Sequence, residues 1–306
     1  MNVDENELCS RFDRLVDEGV IVFQGYRTVR HSDGIEFQFR LLSGLVRKPV
    51  VYGEKPASAS TTTATGLRPG SDIDVSGYEV ADLGETHMLI FNKFPAARPH
   101  LLVLTQDGFR RQHEALDRAD IGALWQVLSS FQQGKRYLAI FNCGVESGCS
   151  RLHKHMQVFA APEEDEQFAL WPDANNGDGS THAAVPFRFF LHRFERGFPP
   201  ADELLKIYLE LLGKAETAVG QRSRGGAIDG AVPHNVVLDR RWMLVVPRRA
   251  AGLNGIIANS AAALGMIWVA NEEQIEAWVQ EGPARVMAHV GVPREAASRG
   301  GTGKSC

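Results

Sequence analysis

Leu8, Phe12, Leu15 and Val16 recur at the spacing of one helix face, which predicts a helix over residues 4–19. The segments IVFQGYRTVR and IEFQFRLL that follow alternate apolar and polar residues, as half-buried strands do. The alternation stops at 49–77, where VYGEKPASASTTTATGLRPGSDIDVSG is rich in Ser, Thr, Gly and Pro. Such a composition favours a floppy insertion over the border of a ligand site. Two apolar runs, HMLIFNKFP and HLLVLTQD, then predict paired strands, with a helix over 116–134 and the strand YLAIFNCG behind them. A short loop, GVESG, leads into a further predicted strand, LHKHMQVFA.

Acidic and glycine-rich residues 162–182 mark a boundary between two segments, 1–165 and 183–292. The second segment predicts a strand over 185–193, a helix over 201–219, strands HNVVLD and WMLVVPR joined by Arg240-Arg241, and a helix over 271–289. Strand pairs beside helices occur in both halves, so the expected class is α+β, built as a duplicated unit. The small, polar residues 293–306 read as a disordered tail.

With 306 residues and 44% hydrophobic content, the chain can bury a sizeable core. Acidic residues exceed basic ones by 37 to 33, and the net charge of -4 gives no bulk attraction to nucleic acid or to an anionic membrane. Any phosphate it binds must be held by a local site. The acidic first twenty residues do not read as a signal peptide, and no apolar run is long enough to span a bilayer. A cytoplasmic protein is expected. Its cysteines, Cys9, Cys143, Cys149 and Cys306, form no CxxC pair and are expected to be reduced.

The stretch GCSRLHKHMQ, residues 148–157, carries the chemistry. On a strand, His153, His155 and Gln157 share one face, with Lys154 and Met156 on the other. Upstream, Gly144 and Gly148 permit a tight turn, and Gly148-Cys149-Ser150 can aim N–H groups and a hydroxyl at an anion. An imidazole is a nucleophile near neutral pH, and its phosphoramidate is labile enough to pass a nucleotidyl group onward. One histidine would attack the α-phosphorus, while the other, or a backbone carbonyl, fixes its tautomer. Gln157 and Ser150 would donate to the non-bridging oxygens. A zinc site lacks the remaining ligands, since neither a CxxC pair nor a third nearby histidine is present.

Two other motifs lead nowhere. The tail GGTGKS lacks the first P-loop glycine, having Ser298 there, and DIDVSG has Leu83 where a calcium loop needs its twelfth-position glutamate.

The segment FNCGVESGCSRLHKHMQVF resembles the signature of the ATP adenylyltransferases, the diadenosine tetraphosphate phosphorylases, within the histidine triad and galactose-1-phosphate uridylyltransferase superfamily. Asn-x-Gly (Asn142, Gly144), Ser-Gly-x-Ser (Ser147, Gly148, Ser150) and His-x-His-x-Gln (His153, His155, Gln157) match throughout. THMLIFNKFPAARPHLLVLT and PHNVVLDRRWMLVVPRR are similar to the family's strand pair and C-terminal domain. The resemblance implies a histidine-triad-like antiparallel sheet flanked by helices. It makes His155 the adenylylated nucleophile, with His153 orienting its loop, Gln157 and Ser150 holding phosphate oxygens, and Asn142 positioning the loop. Asn142, Ser147, Gly148, Cys149 and Lys93 are the substrate-binding candidates, Lys93 for the polyphosphate. Lys154 ranks lower because it points away from that face. Arg248 and Arg249 are equally well read as phosphate contacts or as a charged strand end. Asn259 and Ser260 fall where relatives carry an asparagine, and Arg151 departs from the family's glutamine. The implied reaction is reversible phosphorolysis of diadenosine tetraphosphate to ATP and ADP by a monomer or small homo-oligomer, with magnesium carried on the polyphosphate and no zinc. A GDP-hexose phosphorylase, a dinucleoside polyphosphate hydrolase and a non-catalytic nucleotide sensor remain open, because nothing in the sequence reads the base.

Overall fold

A computed structural model describes residues 4–47, 67–131, 135–162, 168–174, 180–220 and 230–294. Asp4 starts the first helix, α1 (Glu5–Asp17), by accepting a hydrogen bond from the Asn6 N–H at 2.9 Å. The helix buries Leu8, Phe12 and Leu15, the face its spacing predicts. The two strands expected here form a hairpin, β1 (Arg27–Asp33) and β2 (Ile35–Leu41), with the first starting later than its alternation and the turn at Gly34, whose φ is 76°.

The centre of the molecule is a sheet of eight strands, ordered β3-β4-β5-β7-β6-β9-β10-β8 and antiparallel throughout. The first segment supplies β3 (Glu79–Leu83), β4 (His87–Phe91), β5 (His100–Thr105), β6 (Tyr137–Cys143) and β7 (His155–Ala160). The second supplies β8 (Phe190–Arg193), β9 (His234–Leu238) and β10 (Trp242–Pro247), and outside this sheet lie the short α3 (Ser180–Ala183) and a two-stranded ribbon of β11 (Gly252–Leu253) and β12 (Ile256–Ile257). They join where β6 pairs with β9, from Ala139 opposite Leu238 to Cys143 opposite His234. The halves are therefore unequal and share one sheet, instead of repeating strand for strand.

Both faces of this sheet are covered. On one, α1, α2 (Arg118–Ser130) and α4 (Ala201–Val219) bury Phe12, Leu124, Tyr208 and Leu211 against Ala139, Phe141, Met156 and Val158. On the other, β2 and β13 (Met266–Val269), a parallel pair, join α5 (Ser260–Ala263), α6 (Glu272–Glu281) and α7 (Pro283–Val290) around Phe39, Leu138, Phe159 and Trp278. Each Leu, Val, Phe or Met side chain among them contributes about 1.5–3 kcal/mol on burial. Met156 and Val158 face the first layer and Phe159 the second, so the pleat puts His155 and Gln157 on the second face.

Several boundaries differ from the sequence pattern for local reasons. The helix expected over 116–134 starts at Arg118, because Asp117 and Asp120 form a reciprocal capping box. The helix expected over 271–289 is two helices, broken at Gly282, whose φ is 83°, with Pro283 opening the next. The strand expected from 185 begins at Phe190, and the histidine strand begins at His155, leaving His153 in an isolated bridge to Arg111. Of the 49–77 insertion, 67–77 packs against the histidine segment, while 49–66 lies outside the described residues, as do Cys306 and the tail from 295. Cys9, Cys143 and Cys149 form no disulfide. No helix among the described residues is long and apolar enough to cross a membrane.

Candidate functional site

His155 stands at the head of β7, between β5 and β6. Its ring Nδ1 lies 2.8 Å from the His153 carbonyl oxygen. A carbonyl can only accept, so Nδ1 carries the proton and the neutral ring keeps its lone pair on Nε2. His155 lines a cleft of about 320 Å³ together with Lys93, Ser150, Arg151 and Gln157. Its backbone is clamped at both ends by Gln112, whose Oε1 accepts from the His155 N–H at 2.9 Å and whose Nε2 donates to the His155 carbonyl at 3.0 Å. The same Nε2 donates to the Asn142 carbonyl at 3.1 Å.

His153 does not share the strand face expected of it. Its ring is fully buried in the scaffold, with Nε2 3.1 Å from the Asp107 carbonyl and 2.8 Å from Thr105 Oγ1. Nδ1 lies 2.8 Å from Ser71 Oγ. Burial lowers its pKa, opposed by the Asp107 carbonyl and the Asp72 carboxylate, so the ring is held neutral. Asp72 anchors the segment by accepting the Leu152 and His153 N–H groups, both at 2.9 Å. Of the two tautomer-fixing arrangements left open by the sequence, the structure contains the backbone carbonyl.

The glycine turn is fixed from the second segment. Gly148 has φ of 78°, and a Cβ there would stand 2.2 Å from the Ala258 carbonyl oxygen, so only glycine fits. Its N–H donates to the Val145 carbonyl at 2.9 Å. Ser147 is buried with its hydroxyl on the Cys143 carbonyl at 2.6 Å, and Cys149 is buried as well; neither lines the cleft, in contrast to their expected substrate-binding role. Ser150 lines it. Asn142 Oδ1 gathers the Ser260 N–H at 2.8 Å, the Ser260 hydroxyl at 2.7 Å and the Asn235 amide at 2.9 Å. Arg248 is buried beneath this knot, donating to Asn235 Oδ1 at 2.6 Å and to the Ala258 carbonyl at 2.8 Å, which removes it from the phosphate candidates. Arg249 is exposed, and Asn259 caps α5.

Lys154 lies on the opposite face, as the alternation requires. Its ammonium is buried 2.7 Å from Asp120 Oδ2 and 2.6 Å from the Ala115 carbonyl, and His87 Nε2 meets Asp120 Oδ1 at 2.9 Å. Burial pushes the Asp120 carboxyl up, but the His87 hydrogen bond and the Lys154 charge outweigh it and hold the pKa at about 2.

A second cleft of about 440 Å³ adjoins the first, and the two share Ser150 and Gln157. The first is charged, with Lys93, Arg151, Asp72 and Asp74 in its lining. The second contains Asn142, Asn254, Gln274, Trp268 and Trp278, and among the described residues no charged side chain lines it. The pair therefore offers a polar, cation-bearing chamber next to a neutral aromatic one, with the His155 imidazole in the charged chamber. Among the described residues, no three His, Cys, Asp or Glu side chains come together to hold a metal ion. Gln112, Asp72 and the aromatic wall of the second chamber carry no local sequence signal, because each acts on residues far along the chain.

Two family models match the chain, one described as the Ap4A phosphorylase N-terminal domain over residues 19–172 and one as the ATP adenylyltransferase C-terminal domain over residues 183–293. Diadenosine 5',5'''-P1,P4-tetraphosphate phosphorylase 2 of Saccharomyces cerevisiae is 30% identical over 210 residues, covering 62% of this chain and 64% of that protein. That match spans less than two thirds of the relative's length. Protein APA1 of the same yeast is 24% identical over 291 residues, 87% of this chain and 86% of that protein. Among solved structures, yeast Ap4A phosphorylase Apa2 superposes with a TM-score of 0.75 at 23% identity, covering 97% of this chain and 100% of that one. Apa2 in complex with Ap4A gives 0.71 at 21% identity, covering 95% and 98%. At these identities the likeness establishes the fold.

Proposed function

The chain belongs to the Ap4A phosphorylase family, and on that premise we propose that it phosphorolyses diadenosine tetraphosphate to ATP and ADP through a covalent adenylyl-His155 intermediate. The observation that carries the mechanism is the hydrogen bond from His155 Nδ1 to the His153 carbonyl at 2.8 Å, which leaves the lone pair on Nε2 without any general base. In the first step Nε2 attacks the α-phosphorus, a P–N bond forms, the bond to the bridging oxygen breaks, and ATP departs. The positive charge that develops on the ring is shared with the His153 carbonyl through Nδ1–H. In the second step an oxygen of inorganic phosphate attacks the same phosphorus, the P–N bond breaks and ADP leaves. Each step inverts at phosphorus, so the overall course is retention.

Ser150 and Gln157, between the two chambers, supply donors to the non-bridging oxygens as charge builds there. Lys93 and Arg151 serve the polyphosphate in the charged chamber. The neutral aromatic chamber suits a nucleoside, and on the family membership we take the substrate to be a dinucleoside polyphosphate over a nucleotide sugar. The known complex of Apa2 with Ap4A supports that choice. Magnesium enters with the polyphosphate as its counter-ion. A cytoplasmic enzyme with reduced cysteines fits this chemistry.

Labelled diadenosine tetraphosphate incubated with and without phosphate tests the reading. Phosphate-dependent ATP plus ADP is expected; products formed equally well without phosphate would indicate a hydrolase, and binding without products a sensor. His155→Ala is expected to lower kcat by about three orders of magnitude or more while the protein stays folded.

A further inference from the structure

His100, the first residue of β5, is buried to 1% exposure and packs against Phe159 and Trp268, with ring centroids 5.3 and 5.7 Å away. The Ala96 backbone N–H donates to its Nδ1 at 3.0 Å. A backbone N–H can only donate, so Nδ1 holds the lone pair and the proton of the neutral ring sits on Nε2. Ala96 is itself held by Arg40, whose Nη1 donates to its carbonyl at 3.4 Å.

The His100 Nε2–H meets Gln157 Oε1 at 3.0 Å. The Asn92 amide nitrogen comes within 3.3 Å of the same ring nitrogen, but it is a donor too, because Asn92 Oδ1 is taken by the Phe94 N–H at 3.0 Å. It therefore offers His100 no competing acceptor. With Oε1 committed to His100, the two N–H donors of Gln157 are turned the other way, toward the clefts that Gln157 shares with Ser150. The opposite rotation would aim two oxygen lone pairs at a phosphate.

We propose that His100 is a positioning residue that fixes which way round the Gln157 amide sits, so that the transferred phosphoryl group meets donors instead of an acceptor. The proposal rests on the nucleotidyltransferase reading of the site. Losing a transition-state donor outright costs about 10²–10³ in rate, and losing only its orientation costs less, about tenfold.

A double-mutant cycle on the full chain tests this, with kcat and KM measured on diadenosine tetraphosphate and phosphate, and folding checked by circular dichroism. His100→Phe keeps the aromatic packing but removes the donor, and it is expected to lower kcat by about tenfold with KM nearly unchanged. In a Gln157→Ala background the same change is expected to cost nothing further. His100→Asn, too short to reach Gln157, carries the same expectation should the Phe variant misfold, and His100→Gln, which restores a donor, should recover most of the loss. Equal losses with and without Gln157, or an undiminished kcat in a folded Phe or Asn variant, would overturn the proposal. A wild-type protein with no phosphate-dependent turnover would instead overturn the reading beneath it.

Discussion

Gln112 grips the His155 peptide from both sides, and it is 3% exposed, so nothing else can take over its partners. Gln112→Leu strands the His155 N–H, the His155 carbonyl and the Asn142 carbonyl, and should destabilise the fold by about 3 kcal/mol, at 1–3 per buried unsatisfied group with partial relaxation. Gln112→Glu keeps the acceptor but sets a carboxylate against two carbonyls. Its kcat should fall more than its KM rises, measured by steady-state kinetics alongside urea unfolding. Only part of this site was legible along the chain. The alternation of His155, Lys154 and Gln157 is a local, period-two property, and it put His155 and Lys154 on opposite faces, as the structure has them. Gln112, Asp72 and His100 act on residues 43, 81 and 57 positions away, where no periodicity reaches. His153 was misplaced for a physical reason: the strand begins only at His155, so the His153 carbonyl and not its ring reaches the His155 imidazole.

Between elements, Asp120 ties α2 to Lys154, the residue that leads into β7, and to β4 through His87. Its pKa of about 2 lies below the ordinary 3.8, so the stability it contributes is fully present above pH 3.8 and is lost as pH falls toward about 2. Asp120→Asn leaves the Lys154 ammonium buried beside a neutral amide and should cost about 3–5 kcal/mol at neutral pH. The same variant should show a shallower acid transition between pH 4 and about 2, followed by tryptophan fluorescence. α1 and α4 could be read from their apolar spacing, because each buries a single face. The break between α6 and α7 carries a local signal in Gly282-Pro283, which ends one helix and opens the next where the expected helix over 271–289 ran straight through. The histidine-packing role of 67–77 was hidden because Ser, Asp and Gly there look like any polar loop until their partners are known.

Across the whole molecule, the two sequence segments close on one another where β6 meets β9, and the site lies on that seam. His234, opposite Cys143, is fully buried, accepting from the Tyr208 hydroxyl at 2.9 Å and donating to the Val232 carbonyl at 2.7 Å. Burial, opposed by the Val232 hydrogen bond, lowers its pKa to about 4 from an ordinary 6.5. The unfolded chain therefore binds more protons between those values, and stability falls as pH drops from 6.5 to about 4. The loss from this group is about 3 kcal/mol, and His234→Phe should flatten it in urea titrations at pH 7 and 4.5. A division near residues 162–182 was visible in composition, but strand pairing across it was not, since pairing partners depend on the assembled sheet. Phosphorolysis by double displacement requires that His155 carry the nucleotide. Rapid quenching after mixing with diadenosine tetraphosphate labelled at the α-phosphorus, without phosphate, should trap label on His155 as an acid-labile adduct that disappears into ADP when phosphate is added. Labelled ADP formed with phosphate at full rate while His155 never carries label would contradict it.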